Sequence, residues 1–400
     1  MKRCLRLLTA LWLAALLGAL LQAAERPYVI LVSLDAFRYD YAEKYQAKEI
    51  LAVRDAGAAA KALIPCFPSV TFSNHLSIIT GMYPEHHGIV MNHFYDPARD
   101  AEYSNSKTAT DGSWYGGVPL WVLAEKQHVK AASMFWPASD AEIDGVRPSY
   151  FTPYDGTFPD EARVDRVLDW LKLPEAERPH FITLYFSDVD TAGHNFGPDS
   201  EETRQAVQKV DSMIGRLRRG IAATGLPVDL LLVSDHGMQA VDGTINLNDY
   251  ADLSKVRVIN EGPFAMIYAP DKKVADDTWR ALKGKNPYFD VYRRGDIPKS
   301  LHYLDNPRSG DILVLLNKPM ALILAPPTKP LNKGRHGYDP AAFESMRGIF
   351  YAMGPNIRPR TRIEPFLNIN IYPFIAEILR LRVTSPIDGS QKVLQPIYVP

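Results

Sequence analysis

Three apolar runs with strand character each deliver an aspartate at their downstream end, and this repetition constrains the chain more than any other feature. The runs are Y-V-I-L-V-S-L-D, ending at Asp35; F-I-T-L-Y-F-S-D-V-D, ending at Asp188 and Asp190; and D-L-L-L-V-S-D-H-G, ending at Asp235 and His236. His194 follows Asp190 by one helical turn's spacing. Strand-like runs alternate with helical patterns along the chain, which predicts an α/β fold with a mostly parallel central sheet flanked by helices. In such a sheet, chemistry gathers outside the carboxyl ends of the strands. Carboxylates and imidazoles delivered there from three strands describe a metal cluster, and a hydrolytic metalloenzyme is the leading reading.

The chain has 400 residues and a formal net charge of -1, so it exerts no general electrostatic pull on nucleic acid or anionic lipid. Its N-terminus differs from the rest. Lys2, Arg3 and Arg6 precede an apolar stretch from Leu7 to Leu21, followed by Gln22-Ala23-Ala24. That is the pattern of a secretory signal over residues 1–24. The alternative is an uncleaved anchor, and the run is short for a membrane span of roughly 20 residues. A periplasmic or secreted protein is expected, with no stable membrane association after cleavage. Cys66 is the only cysteine beyond the signal, so no intramolecular disulfide forms in the mature chain.

Residues 25–400 read as one catalytic domain. A helix is predicted from Ser200, a capping residue, through Glu201 and Glu202 to Gly225. Its stripe of Val207, Val210, Ile214, Leu217 and Ile221 is core. Strands are predicted at Val256 to Ile259, Phe264 to Tyr268, Ile312 to Leu316 and Gly348 to Ala352, and a helix at Asp276 to Leu282. The stretch 256–325 thus has elements of its own and reads as a small inserted cap. The polar, glycine-bearing segment 96–117 reads as a loop over a site.

Two further segments carry site-like chemistry. In C-F-P-S-V-T-F-S-N-H, Thr71 precedes a helical pattern, where an alkoxide and a phosphate oxygen are both favoured. In G-R-H-G-Y-D, His336 sits in a glycine-flanked turn. Taken in order with V-S-L-D-A-F-R, I-T-G-M-Y-P-E-H-H-G-I, Y-D-P, W-Y-G-G-V-P-L-W, G-H-N-F-G-P and S-D-H-G-M, these segments resemble the nucleotide pyrophosphatase/phosphodiesterase family of the alkaline phosphatase superfamily. The resemblance covers nearly the whole mature chain.

It implies two zinc ions, one held by Asp35, Thr71, Asp235 and His236 and the other by Asp190, His194 and His336. It implies Thr71 as the nucleophile, a covalent phospho-threonine, and Asn92 as a donor to a non-bridging phosphate oxygen. Phe72, next to Thr71, and Tyr154, in T-P-Y-D-G, match the family's two base-stacking aromatics. The other polar residues of these motifs read as structural. Asp188 supports the site, His75 packs behind the nucleophile, His302 belongs to the cap, and Cys66 is a buried small residue; His86 and His87 could be ligands on sequence alone, but the family pattern does not use them so.

The expected substrates are small nucleotides: ATP, dinucleotides and nucleotide diesters, cleaved to nucleoside 5'-monophosphates, with no specific nucleic-acid partner. A diester carries one charge fewer than a monoester, so the neutral amide of Asn92 suffices where a monoesterase needs a cation. No Arg or Lys occurs between Cys66 and Glu85. The alternatives are a choline or lysophospholipid phosphodiesterase of the same superfamily and a non-catalytic nucleotide- or metal-binding relative. A choline reader needs an aromatic and acidic cage that the sequence does not display.

Overall fold

The three aspartate-terminated runs fold side by side. In the computed structural model, which describes residues 26–304, 306–328 and 330–400, they form β1 (Tyr28–Leu34) and two of the strands that follow it. The first part of the central sheet comprises β1, β2 (Ala58–Ala60), β3 (Ala131–Met134), β4 (Tyr150–Phe151), β5 (Phe181–Phe186) and β6 (Val228–Val233). Strands Phe350–Met353 and Thr361–Ile363 complete it. Across the sheet the order is Thr361–Ile363, β2, Phe350–Met353, β6, β1, β5, β3, β4. β1 runs parallel to both β5 and β6, and only Phe350–Met353 opposes its neighbours. Every residue of β1, β5 and β6 is buried, the condition of strands covered on both faces.

The register aligns the strand ends. Leu34 lies opposite Phe186, and Ser33 opposite Val233, so all three strands release the chain at one edge. There the sequence reading needs one correction. The second run does not stay extended to Asp190. β5 stops at Phe186, and after α1 (Thr71–Thr80) the next helix to bear on the site, α2 (Asp188–Phe196), begins at once. Asp188 and Asp190 in its first turn suit the positive end of the helix dipole. Helical spacing, rather than strand alternation, then sets Asp190 and His194 on one face.

α3 (Glu201–Thr224) covers the sheet as its stripe predicts. The Ser200 side chain accepts from the Thr203 amide, and Gly225 ends the helix at φ 69°. Val207, Val210, Ile214 and Leu217 are buried, and Ile221 packs at the margin. Lys209 on α3 bridges to Asp188 at 2.6 Å and to Asp160 at 2.5 Å. Asp188 therefore ties α2 to the helix behind it.

A second sheet, antiparallel and four-stranded, is built from Arg257–Asn260, Phe264–Tyr268, Ile312–Leu316 and Phe289–Arg293, with helix Lys272–Leu282 beside it. These elements lie within the segment 256–325. Their apolar cluster also draws in Ile245, Leu247, Ala251 and Leu253 from upstream. The segment 96–117 stays out of the central sheet. Part of it pairs with His93–Asp96 as a hairpin, and the remainder borders the main cleft. Cys66 is buried, and its thiol donates to Asn368 Oδ1 at 3.2 Å. Burial pushes that thiol up to about 12, so it is a structural group. The predicted signal over residues 1–24 lies outside the described residues. No helix among the described residues is long and apolar enough to cross a membrane.

Candidate metal centre

Seven residues from five segments meet at the carboxyl edge of the sheet. Asp35 directly follows β1. Asp235 and His236 follow β6. Asp190 and His194 share a face of α2. His336 comes from a late turn, and Thr71 is the first residue of α1. The acids and imidazoles fall into two groups, Asp35–Asp235–His236 and Asp190–His194–His336, with the ligand atoms of each group within 4.8 Å of one another. The groups adjoin, because the His236 and His336 rings stack at 3.7 Å. Thr71 Oγ1 lies 3.3 Å from His236 Nε2, so its hydroxyl belongs to the first group.

The hydrogen bonding shows what this arrangement is prepared to hold. Each of the three histidines donates its Nδ1–H to a backbone carbonyl: His236 to Gly237 at 2.9 Å, His194 to Gly334 at 2.9 Å and His336 to Ser69 at 3.0 Å. A carbonyl can only accept, so the proton is on Nδ1 and the lone pair is on Nε2. All three Nε2 atoms point inward. His236 Nε2 is 3.1 Å from Asp235 and 3.6 Å from Asp35, and His194 Nε2 is 3.4 Å from Asp190. His194 and His336 present their Nε2 atoms to each other at 3.1 Å. Acceptors thus face acceptors.

Asp35 Oδ1, Asp190 Oδ1 and Asp235 Oδ2 are buried with no hydrogen-bond partner. Such oxygens call for an unseen partner, and inward lone pairs with backbone-pinned Nδ1 atoms are the metal-ligating pattern of histidine. The residues fit two divalent cations, and the carboxylate-plus-imidazole donor set suits zinc.

Without cations the charges are unfavourable. Burial pushes Asp35 and Asp235 well above the usual carboxylate range, and Asp190 up to about 7. Burial also holds His236 down at about 3 and His336 well below the ordinary imidazole value. A bound dication reverses this balance by favouring carboxylates and neutral rings.

Neighbouring groups hold the ligands in place. Tyr185 donates its hydroxyl to Asp35 Oδ2 at 2.5 Å, and the Ala36 amide donates to Asp235 Oδ1 at 3.2 Å. His75 donates to the Thr71 carbonyl and accepts from the Ser33 hydroxyl, both at 2.8 Å, directly behind Thr71. Two glycines are required here. A side chain at Gly334 would meet the Gly193 carbonyl at 2.4 Å, and Gly337 takes φ +111° to turn the chain after His336.

A cleft of about 810 Å³ opens over both groups. Thr71, Phe72, Asn92 and Tyr154 all line it. Asn92 Oδ1 accepts from the Phe72 amide at 2.9 Å, which leaves the Asn92 NH₂ free beside Thr71. Tyr154 is 55% exposed and meets Phe135 and Tyr185 edge-on. Among the described residues no arginine lines the cleft, and its only lysine, Lys107, is exposed. His86 pairs instead with Asp388, and His87 with the Ser73 carbonyl and Ser77 hydroxyl; His302 stacks on Tyr83.

The sequence reading passed over Tyr185 and Glu261, which also line the cleft. The signal for Tyr185 was a hydroxyl placed within the apolar run F-I-T-L-Y-F. Glu261 carried no motif.

Fold and site together define an α/β protein with two adjoining candidate metal-ligand groups at the carboxyl edge of its sheet. The profile of the family described as type I phosphodiesterase / nucleotide pyrophosphatase matches residues 29–339. The chain belongs to that family. It is 37% identical over 398 residues to ectonucleotide pyrophosphatase/phosphodiesterase family member 1 of Mus musculus, covering 94% of this chain and 44% of that protein. It is 36% identical over 399 residues to a venom phosphodiesterase of Macrovipera lebetinus, covering 94% and 46%. The chain spans about half the length of these curated relatives. A solved structure of murine ectonucleotide pyrophosphatase/phosphodiesterase 5, an inactive threonine-to-alanine form in complex with AMP, matches with a TM-score of 0.89 at 28% identity. That match covers 94% of this chain and 100% of the other.

Proposed function

We propose that this protein hydrolyses phosphodiester and pyrophosphate bonds of nucleotides and releases nucleoside 5'-monophosphates through a phospho-threonine at Thr71. The observation that carries the reading is the threonine hydroxyl at a helix N-terminus, against one of two adjoining metal-ligand groups. Asp35, Thr71, Asp235 and His236 would hold one zinc ion, and Asp190, His194 and His336 the other. When bound, two such ions supply the charge that clamps the attacking and leaving oxygens of an in-line displacement.

The chain's own groups do the rest. The first turn of α1 favours negative charge on Thr71 Oγ1 and on the phosphoryl oxygens. Thr71 Oγ1 gives up its proton and bonds to phosphorus as the bond to the leaving oxygen breaks, and the leaving oxygen takes up a proton from solvent. Water then attacks phosphorus, frees the threonine and releases the nucleoside 5'-monophosphate. The complex of murine family member 5 with AMP is consistent with a nucleotide in this cleft.

Asn92 donates its amide to a non-bridging oxygen whose charge grows in the transition state. Asn92→Ala is expected to lower kcat by about 10²-fold while changing KM less. Steady-state kinetics on a nitrophenyl nucleotide diester measure this, and a loss confined to KM would remove Asn92 from the role. Phe72 and Tyr154 hold the base. Stacking contributes roughly 1–3 kcal/mol per contact and reads no base edges. Phe72→Ala and Tyr154→Ala should therefore each raise KM for a nucleotide diester by about 5-fold or more, with little effect on a small diester that has no base. Equal losses on both substrates would make the rings packing residues and bring the lipid or choline diester reading forward.

One preparation tested on ATP, a dinucleotide, a nitrophenyl nucleotide diester, nitrophenyl phosphate and nitrophenyl phosphorylcholine decides among the substrate classes. The nucleotide diesters and ATP are expected to be turned over well, and the monoester and choline ester poorly. A preference for nitrophenyl phosphate would contradict the scarcity of cations around the cleft. The proposed location is outside the cytoplasm, in the periplasm or secreted, on the predicted signal and the likeness to venom enzymes.

A further inference from the structure

A second cavity, of about 500 Å³, lies beside the catalytic cleft, and Glu261 lines both. It sits on the side of the Asp190–His194–His336 group. Arg335, one residue before His336, forms part of its wall, and the Glu261 carboxylate interacts electrostatically with His194. In an in-line displacement the leaving oxygen departs opposite the attacking one. Thr71 stands on the His236 side, so on the phosphodiesterase reading the departing group faces the second group, beside which this cavity lies.

The lining is mixed. Ile259, Leu322 and Leu324 give it an apolar surface. Two arginines line it, one beside a carboxylate and one tied to a backbone carbonyl. Arg257 lies 3.8 Å from Glu102 and covers the Tyr95 ring at 3.8 Å. Arg335 donates to the Glu261 carbonyl at 2.9 Å. The Glu261 carboxylate itself makes no hydrogen bond or ion pair among the described residues, and it stands at the junction of the two cavities. A strongly cationic pocket would suit pyrophosphate as the leaving group. This one sets two arginines and His93 against two glutamates, Glu102 and Glu261, over an apolar surface.

We infer that the second cavity is the subsite for the departing half of the substrate and is built for a flat, low-charge organic group, a nucleoside, rather than for pyrophosphate. This rests on the phosphodiesterase reading above. The preferred substrate class is then the dinucleoside monophosphate type of diester, which leaves as an uncharged nucleoside alcohol. Nucleoside triphosphates carry their pyrophosphate past the Glu261 carboxylate and are turned over less efficiently. Where both are accepted, Glu261 sets the ratio between them.

The test uses three substrates with one common 5'-nucleotide: a dinucleoside monophosphate, the nucleoside triphosphate and the nitrophenyl ester. For the unmodified protein, kcat/KM for the dinucleoside monophosphate should exceed that for the triphosphate. Ala325 lines the cavity and is exposed, so Ala325→Trp narrows it without touching the core. It should lower the ratio of kcat/KM for the dinucleoside monophosphate over the nitrophenyl ester by roughly tenfold. Glu261→Gln removes the charge and keeps the shape, and should raise the triphosphate-to-nitrophenyl ratio by about fivefold or more. Turnover of all three substrates with both ratios within twofold of wild type overturns the subsite alone. Turnover of none of them by the zinc-loaded wild type overturns the phosphodiesterase reading, and this inference with it.

Discussion

Thr71→Ala is expected to lower kcat on a nitrophenyl nucleotide diester by about 10⁴-fold or more while leaving the fold in place. The loss is large because the Thr71 hydroxyl is the one that faces His236 Nε2, whereas the Tyr185 hydroxyl is committed to Asp35 Oδ2. The fold survives because the Thr71 side chain does not cap its helix. Val70 provides the extended entry, the Asn74 amide still bonds the Val70 carbonyl at 3.0 Å, and Asn92 still holds the Phe72 amide. Thermal unfolding should therefore shift little, and elemental analysis should find most of the metal retained on the six remaining ligands. Thr71→Ser keeps a hydroxyl and should keep part of the rate. A two-step path inverts phosphorus twice, so a chirally labelled substrate should react with net retention. Net inversion would replace the covalent intermediate with direct attack by water.

The aspartate-terminated strands were legible because burial on both faces leaves a continuous apolar run, and the first polar residue after each run marks the sheet edge. The α3 cap and stripe were legible for an equally local reason: Ser200, Glu201 and Gly225 act within one turn of the helix ends. The path of Asp188 to Asp190 was not legible. Its residues S-D-V-D-T carry weak helix preference, and only the tertiary tie from Asp188 to Lys209 and the packing of α2 on α3 reveal the helix. Strand and helix spacing both bring Asp190 near the site, so the candidate group of acids and imidazoles was readable even where the backbone was not. His336 was singled out by its glycine-flanked turn and by the resemblance of G-R-H-G-Y-D, because it is far in sequence from every other candidate ligand. Tyr185 and Glu261 escaped because an isolated polar residue in an apolar or loop context has no spacing pattern. Their partners come from distant segments.

Stripping the metal should abolish turnover and lower Tm by about 5 °C or more, and zinc should restore both. The physical reason is the set of buried oxygens and nitrogens that face one another with no proton donor between them. Removing one partner of a buried charge arrangement leaves the rest uncompensated, at a cost of several kcal/mol. A ligand present at a hundred times its Kd contributes about 2.7 kcal/mol of native stability. The effect has a definite pH dependence. In the stripped protein Asp190 keeps its proton up to about pH 7, whereas in the unfolded chain a carboxyl loses it near pH 4. Between those values the native state binds the extra proton, so this group's contribution to native stability falls as pH rises. The buried His236, held at about 3, acts in the opposite sense: the unfolded chain takes up its proton below about pH 6.5, so stability rises with pH through that range. Zinc must displace the Asp190 proton below pH 7, which weakens its apparent affinity about tenfold for each pH unit lost. The Tm gap between loaded and stripped protein should therefore widen from pH 5 to pH 8. Differential scanning fluorimetry across that range, with and without chelator, measures the gap. A gap that stays constant or narrows with rising pH would show that the buried acids are not the metal's ligands.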